Sequence, residues 1–430
     1  MSNWIHATLQ DICRPEKGSI ISGPFGSNIS SKFFVDEGVP VIRGNNLSLS
    51  LDKFYDDGFV FVTQEKADEL NCYALEGDLL FTAAGTIGQV GILEAPLKYE
   101  KYVISNKQLR ARIDTRKVDL LYAYYWFSSA WMQDYFIRNN KGSTVPLISL
   151  SELKDAPISY PEDISEQKRI VAEIEVLSQK IETNRSICAE LESMAKTIYD
   201  YWFTQFDFPD ANGKPYRTSG GAMEWNEEFK CNIPYGWSTV RLSDICTFRN
   251  GINYEKGCRG NRTYRIVNVR NITASNYLMD VSDFDEISLL REQADRYVLG
   301  EHDIIIARSG TPGATRLIMN PEDNVIFCGF IICCTPNASE YRLFISQYLK
   351  KLEGTNATKT GGSILQNVSQ DTLKSLLVCL PNKATVEAFN AQIMPLVTKM
   401  DNVIRENREL TELRDWLLPM LMNGQATVAE

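Results

Sequence analysis

The chain repeats itself once, at close to half its length, and that duplication restricts the fold more than any other feature. Trp4, Leu9, Asp11, Ile12 and Cys13 return in order as Trp237, Leu242, Asp244, Ile245 and Cys246, five identities in ten positions at an offset of 233. Asp78-Leu-Leu-Phe-Thr-Ala-Ala-Gly85-Thr86-Ile-Gly88 matches Asp303-Ile-Ile-Ile-Ala-Arg-Ser-Gly310-Thr311-Pro-Gly313 at an offset of 225. A third block aligns Gly142-Ser143, Leu153 and Pro161 with Gly362-Ser363, Leu373 and Pro381 at an offset of 220. Order is kept and the offset drifts slowly, as loop insertions produce. At 430 residues and 44% apolar content the chain has enough material for two to four domains.

Each half is expected to follow one plan, a strand-rich α+β globular part and then a long helix. Alternation and β-branched runs place strands near 39–43, 79–82, 266–269 and 303–307, and short helices near 120–136 and 341–352. The most apolar run, 325–334, has the length of one buried strand, too short for a membrane helix. Cys333 and Cys334, adjacent within it, are expected on opposite faces as buried thiols.

After Pro161 the apolar residues change period. Ile170, Ile174, Leu177, Ile181, Asn184, Cys188, Leu191, Ala195, Ile198 and Trp202 alternate by four and three, the seam of a coiled coil. Phe389, Ile393, Leu396, Met400, Val403, Asn407, Leu410, Arg414, Leu417 and Leu421 repeat the pattern. One asparagine interrupts each seam near its middle, Asn184 at a d position and Asn407 at an a position. An a layer faces a d layer in antiparallel pairing, so the two are expected to meet and set the register. Pro395 is expected to kink the second helix and Pro419 to loosen its last turn.

The expected division is a first globular domain at 1–160, a first long helix at 161–206, a connector at 207–236, a second globular domain at 237–383, a second long helix at 384–424 and a tail at 425–430. The connector holds three prolines and four glycines, too many breakers for a packed element.

Catalytic signatures are missing. The Asp/Asn-Pro-Pro-aromatic motif of N6-adenine methyltransferases and the phosphate-cradling G-x-x-x-x-G-K-[ST] loop do not occur. Two histidines, His6 and His302, leave almost nothing for a histidine-based metal site or triad. No catalytic residue, metal ligand or resident cofactor is expected. Gly85-Thr86-Ile-Gly88 and its duplicate read as tight turns, and Glu166-Gln167-Lys168 as the acidic start of a helix. The first residues lack a secretory pattern, and the expected location is the cytoplasm.

Polar loops fall at matching places in both halves. In the first they offer Ser27, Asn28, Arg43, Asn45, Asn46, Thr86, Lys107, Lys141, Ser143 and Thr144; in the second Asn250, Arg259, Asn268, Arg270, Asn271, Arg308, Ser309, Thr311, Lys359 and Ser363. Arg and Asn read guanine and adenine edges bidentately, and Lys and Ser/Thr hold phosphates. Net charge is −10, so duplex binding has to come from local patches such as 259–270, acid-free with four arginines, or 101–117, with six basic residues against Asp114.

Taken together these residues resemble the specificity subunit of type I restriction-modification systems over almost the whole chain. The resemblance is carried by Ser22-Gly-Pro-Phe-Gly-Ser27, Gly38-Val-Pro-Val-Ile-Arg43-Gly-Asn45-Asn46, Gly77-Asp-Leu-Leu-Phe-Thr82, and Ser165-Glu-Gln-Lys168 after Pro161. In the connector, Phe206-Asp-Phe-Pro209 and Ile233-Pro-Tyr-Gly-Trp237 add to it. The second half departs from the pattern, since Pro381-Asn-Lys-Ala-Thr-Val-Glu387 lacks the Glu-Gln pair. The resemblance implies two similar target recognition domains related by a pseudo-two-fold and joined by two long antiparallel coiled-coil helices, each domain reading half of a split DNA target. It implies two methyltransferase subunits and restriction/motor subunits as partners, which would carry S-adenosylmethionine, ATP and magnesium. Two other classes fit the same features: the specificity subunit of another multisubunit restriction enzyme, and a two-domain protein-binding scaffold.

Overall fold

The computed structural model describes residues 3–142, 145–255, 257, 259–353 and 368–426. Ser143, Thr144, Lys359 and Ser363 lie outside the described residues. The chain divides into two compact units, Met1–Ile181 with Glu409–Glu430, and Glu182–Arg408.

In the first unit, Asp78–Thr82 shows how the strands are built. Leu79 and Phe81 enter one core while Leu80 enters another, because alternate side chains leave a strand on opposite faces. This strand lies in an antiparallel sheet ordered Ile20–Ser22, Gln108–Arg112, Asp78–Thr82, Val90–Ile92. A second sheet runs Val60–Val62, Val39–Ile42, Tyr102–Ile104, Tyr73–Ala74, with its middle pair parallel. Leu120–Ser128, rich in tyrosine and tryptophan, buries most of its length in the larger core.

The second unit rebuilds this order. Cys246–Asn250, Ile331–Pro336, Ile304–Ala307 and Thr315–Arg316 form the antiparallel sheet. Asp285–Leu289, Arg262–Val267 and Val325–Phe327 form the other, again with a parallel pair. Ile304 and Ile306 face one core, Ile305 and Ala307 the other. In each unit a two-stranded ladder brings the start of the domain to its exit into the long helix, Trp4–Thr8 with Pro157–Pro161 and Ser238–Arg241 with Leu377–Leu380.

Two expectations need correction. The run 325–334 is two strands in different sheets, Val325–Phe327 and Ile331–Pro336, because the chain turns at Gly329, where a Cβ would fall 2.0 Å from Asn253 Oδ1. Cys333 and Cys334 are fully buried in the two different cores, and burial pushes both thiols upward. The connector 207–236 is packed. It carries a hairpin, Met223–Asn226 with Cys231–Pro234, and Phe206, Phe208 and Ile233 are buried beside Trp237, whose ring stacks on Phe208 at 5.1 Å. Apolar and aromatic residues spaced among the breakers supply that packing. The second helix runs continuously from Lys383 to Met422 through Pro395 and Pro419.

The long helices are Ile164–Tyr199 and Lys383–Met422, the first ending in a wider turn at Asp200–Thr204 where Gln205 N–H donates to Asp200 O at 2.9 Å. In the first unit Ile170, Val171 and Ile174 share a core with Leu418, Leu421 and Met422. In the second, Ala195 and Tyr199 share one with Phe389 and Ile393. Within each unit the start of one helix therefore meets the end of the other, which is antiparallel pairing. Asn184, 1% exposed, donates from Nδ2 to Asn407 Oδ1 and to Glu406 Oε2, each at 2.9 Å.

Candidate nucleic-acid interface

The parallel-paired strand Val39–Ile42 ends in a turn that a single buried side chain builds. Asn46 accepts from Arg43 N–H at 3.0 Å and donates to Tyr55 O at 2.9 Å and Asp57 O at 2.8 Å. With no exposure and its amide fully used, Asn46 is a turn builder, and its assignment as a DNA contact is corrected. The turn presents Arg43 and Asn45 instead. Both reach Gly58 O, at 3.3 and 3.4 Å, while Arg43 Nε is buried without a hydrogen-bond partner. Among the described residues no carboxylate pairs with Arg43.

A cleft of about 400 Å³ opens beside this turn. Of the expected contacts, Arg43, Asn45, Thr86 and Lys107 line it, brought from three separate connections, and Asn106 joins them. Ser27 and Asn28 sit in the exposed turn Gly26–Ile29, and Gly26 packs on Asn106, where a Cβ would be 3.0 Å from Nδ2. Lys141 does not line the cleft and pairs with Glu152 at 3.5 Å. Thr86 stands on the expected tight turn, with φ of 98° at Gly85 and 92° at Gly88, values only glycine adopts cheaply.

Sequence reasoning missed Gln89. Its Nε2 donates to Gly44 O at 3.1 Å and Leu47 O at 2.9 Å, and its Oε1 accepts from Thr82 Oγ1 at 2.8 Å, so one amide clamps the Arg43 turn onto the neighbouring sheet. A lone Gln beside a glycine turn carries no signal in sequence. Gln167 was read as part of an acidic helix start, yet it is fully buried and ties Asp119 N–H and Pro161 O to the helix, each at 2.7 Å.

In the second unit the equivalent turn follows Arg262–Val267. Asn271 accepts from Asn268 N–H and donates to Asp283 O, both at 2.8 Å, so it too builds the turn and is withdrawn as a contact. Arg270 is exposed and pairs with Asp285, which also accepts from Asn268 Nδ2 at 3.0 Å. The Arg270 hydrogen bond, then its charge, hold the Asp285 carboxyl below the usual carboxylate range. Arg308 follows Ile304–Ala307 of the other sheet and reaches Gly329 O at 3.5 Å, and Thr311 approaches Thr273 of the helix Val269–Ala274 at 3.4 Å. Ser309 is half-buried, and Asn250 is exposed just before Gly251, which donates to Ile331 O at 3.1 Å. Arg259 is exposed but belongs elsewhere: the six-residue strand Arg262–Val267 separates it from Asn268, roughly 20 Å at about 3.3 Å per residue.

The basic runs do not stay basic. Arg110 and Arg112 turn to the buried carboxylate of Asp78, at 3.8 and 3.1 Å, and Arg116 holds Asp114 at 2.8 Å. Arg262 pairs with Asp323 at 3.1 Å and Arg265 with Glu322 at 3.8 Å. Acids distant in sequence thus pair with Arg110, Arg112, Arg262 and Arg265, so the two stretches present fewer free cations than their composition suggests.

Comparison with known proteins adds the following. The model of the type I restriction modification DNA specificity domain matches residues 1–193 and 234–414. The MjaIX type I restriction enzyme specificity subunit of Methanocaldococcus jannaschii is 26% identical over 359 residues, covering 83% of this chain and 79% of its own. The HindI specificity subunit of Haemophilus influenzae is 22% identical over 483 aligned positions, covering 99% and 100%. The solved S subunit of a type I system from M. genitalium shares the fold with a TM-score of 0.51 at 16% identity, over 98% of this chain and 96% of that one.

Proposed function

Because the chain belongs to the type I restriction-modification DNA specificity family, we propose that it reads a bipartite duplex target with one unit per half-site, and that the turns at 43–46 and 268–271 are the reading elements. The observation that carries this is the first-unit cleft, which gathers Arg43, Asn45, Thr86 and Lys107, with no carboxylate paired to Arg43 among the described residues. A guanidinium held by a backbone carbonyl rather than a carboxylate, beside an exposed amide, suits recognition of guanine and adenine edges in the major groove, with Lys107 and Thr86 suited to phosphate. The recurrence of the turn in the second unit supports a second half-site.

On this reading the chain recognises and its partners act. Two methyltransferase subunits and the restriction/motor subunits would bring S-adenosylmethionine, ATP and magnesium, and the assembly would work in the cytoplasm. Among the described residues no helix is long and apolar enough to cross a membrane. The paired helices, interrupted by Asn184 and Asn407, are the spacer that fixes the unread gap.

Co-expression with the methyltransferase partner and methylation sequencing test the reading. Arg43→Ala is expected to relax one half of the methylated motif only, and Arg270→Ala or Arg308→Ala the other. An unchanged motif in all three variants would remove these turns from recognition.

A further inference from the structure

We propose that Phe25 and Phe330 are wedges that stack into a base step of the duplex, one from each unit. The inference rests on the DNA-reading role proposed above and adds a contact that the hydrogen-bonding side chains do not make.

Among the described residues these are the two exposed phenylalanines, Phe25 at 85% and Phe330 at 63%. Both are displayed by loops pinned through glycine. Gly23 packs so closely on Ser105 that a Cβ would fall 1.8 Å from its carbonyl oxygen, and Gly26 faces Asn106 Nδ2 at 3.0 Å. Phe25 O accepts from Asn28 N–H at 2.8 Å, closing the turn between them. Phe25 therefore rises from a loop pressed on the connection 105–107, whose Asn106 and Lys107 line the cleft.

In the second unit the corresponding connection, between Val325–Phe327 and Ile331–Pro336, carries Phe330 itself. Phe330 O accepts from Arg308 N–H at 2.9 Å, as Lys107 O accepts from Ala83 N–H at 2.7 Å in the first unit, so Phe330 holds the place of Lys107. The adjoining Gly329 admits no side chain, and Arg308 Nη1 reaches its carbonyl at 3.5 Å. Two exposed rings thus stand at the same connection of the domain, yet come from different loops. A phenylalanine reads no base identity. Set among arginine, asparagine and lysine at a DNA-facing turn, it suits insertion at a flexible step, which bends the duplex toward the reading residues.

The test uses the complex with its methyltransferase partner and a duplex bearing the motif found by methylation sequencing, with 2-aminopurine placed in turn at each position except the methylated adenine. The wild-type complex is expected to raise fluorescence at one step in each half-site. Phe25→Ala should abolish the rise in the half-site that Arg43→Ala relaxes, Phe330→Ala should abolish the other, and each should weaken binding about tenfold. Phe→Trp should keep the signal. Thermal midpoints should not move, since neither ring is buried. Selective binding with no fluorescence rise, or a rise that survives both alanine variants, would overturn the wedge and leave the DNA reading intact. So would variants that lose methyltransferase assembly instead, since the rings would then be protein contacts. A wild-type complex that shows no selective binding would remove the DNA reading itself and the wedge with it.

Discussion

The turns at 43–46 and 268–271 share a backbone and differ in what holds them. Asn46 and Asn271 make the same turn after the same parallel-paired strand. The side chains presented are exchanged, Arg43 and Asn45 in one, Asn268 and Arg270 in the other. The first turn is clamped from outside by Gln89. In the second unit Ala314 takes the place of Gln89, accepting from Ala307 N–H at 2.9 Å as Gln89 accepts from Thr82 N–H at 3.1 Å, and it has no amide to offer. That turn relies instead on Asp285, which holds Asn268 and Arg270 together. A duplicated domain thus keeps the asparagine that makes the turn while the cation, its order and its brace are free to change, which is what reading different half-sites requires.

The strongest way to break the comparison is to remove the shared asparagine. Asn46→Ala removes the three hydrogen bonds that tie the Arg43 N–H to the Tyr55 and Asp57 carbonyls through one buried amide, and is expected to destabilise the first unit by about 3 kcal/mol. Asn271→Ala loses fewer bonds and should cost the second unit about 2 kcal/mol. Denaturant unfolding checks both, with hydrogen exchange to assign the loss to one unit. Equal, negligible costs would mean that the two amides do not build the turns.

Next come the presented cations. Arg43→Ala and Arg270→Ala should each cost about 1 to 3 kcal/mol of discrimination, in opposite half-sites. Filter binding against single-base variants of the motif measures it, and loss in both halves from one change would point to a folding defect instead. Gln89→Ala, which removes the clamp and leaves the first turn without the brace that Asp285 supplies in the second, should weaken first half-site binding by about 1 kcal/mol. Gln89→Glu should do worse than alanine, because a carboxylate would face the Gly44 and Leu47 carbonyls. A glutamate variant that binds better than alanine would refute the clamp.

What sequence revealed and what it concealed divide along physical lines. The duplication, the alternating strands and the paired seam asparagines are local periodicities, and Asn184 and Asn407 do hydrogen-bond. The clamp by Gln89, the burial of Asn46 and the neutralising of Arg110 and Arg262 depend on residues that only folding brings near. Composition counted 101–117 as basic because Asp78 lies outside that stretch. Arg249 shows the same limit: it holds Asp303, the duplicate of Asp78, from a different strand than Arg112 uses. The ion pair survived duplication while its arginine moved, so no alignment of the halves reveals it.

The smallest effect expected is also the sharpest test of how the turns differ. Asp285 and Arg270 are half exposed or more, with side-chain exposures of 51% and 63%, so their pair adds little to stability; Asp285→Asn should change unfolding by under about 0.5 kcal/mol. Its folded carboxyl is held below the ordinary value by Arg270. The small stabilisation is therefore complete above the unfolded carboxylate range and lost only as pH falls through the lower folded value. Between pH 6 and 8 Asp285 stays charged, and DNA affinity governed by this pair should not vary with pH. Removing the charge frees Arg270 and takes an anion away from the phosphates. Asp285→Asn should then tighten binding a few-fold at low salt and raise the number of released counterions by about one. Arg270→Ala in the same background should cancel the gain. Among the described residues no carboxylate pairs with Arg43 in the first unit, so no single neutralising change there should tighten binding. An Asp285→Asn complex with unchanged affinity and salt dependence would place Arg270 away from DNA and leave the first turn as the only reader built on an arginine.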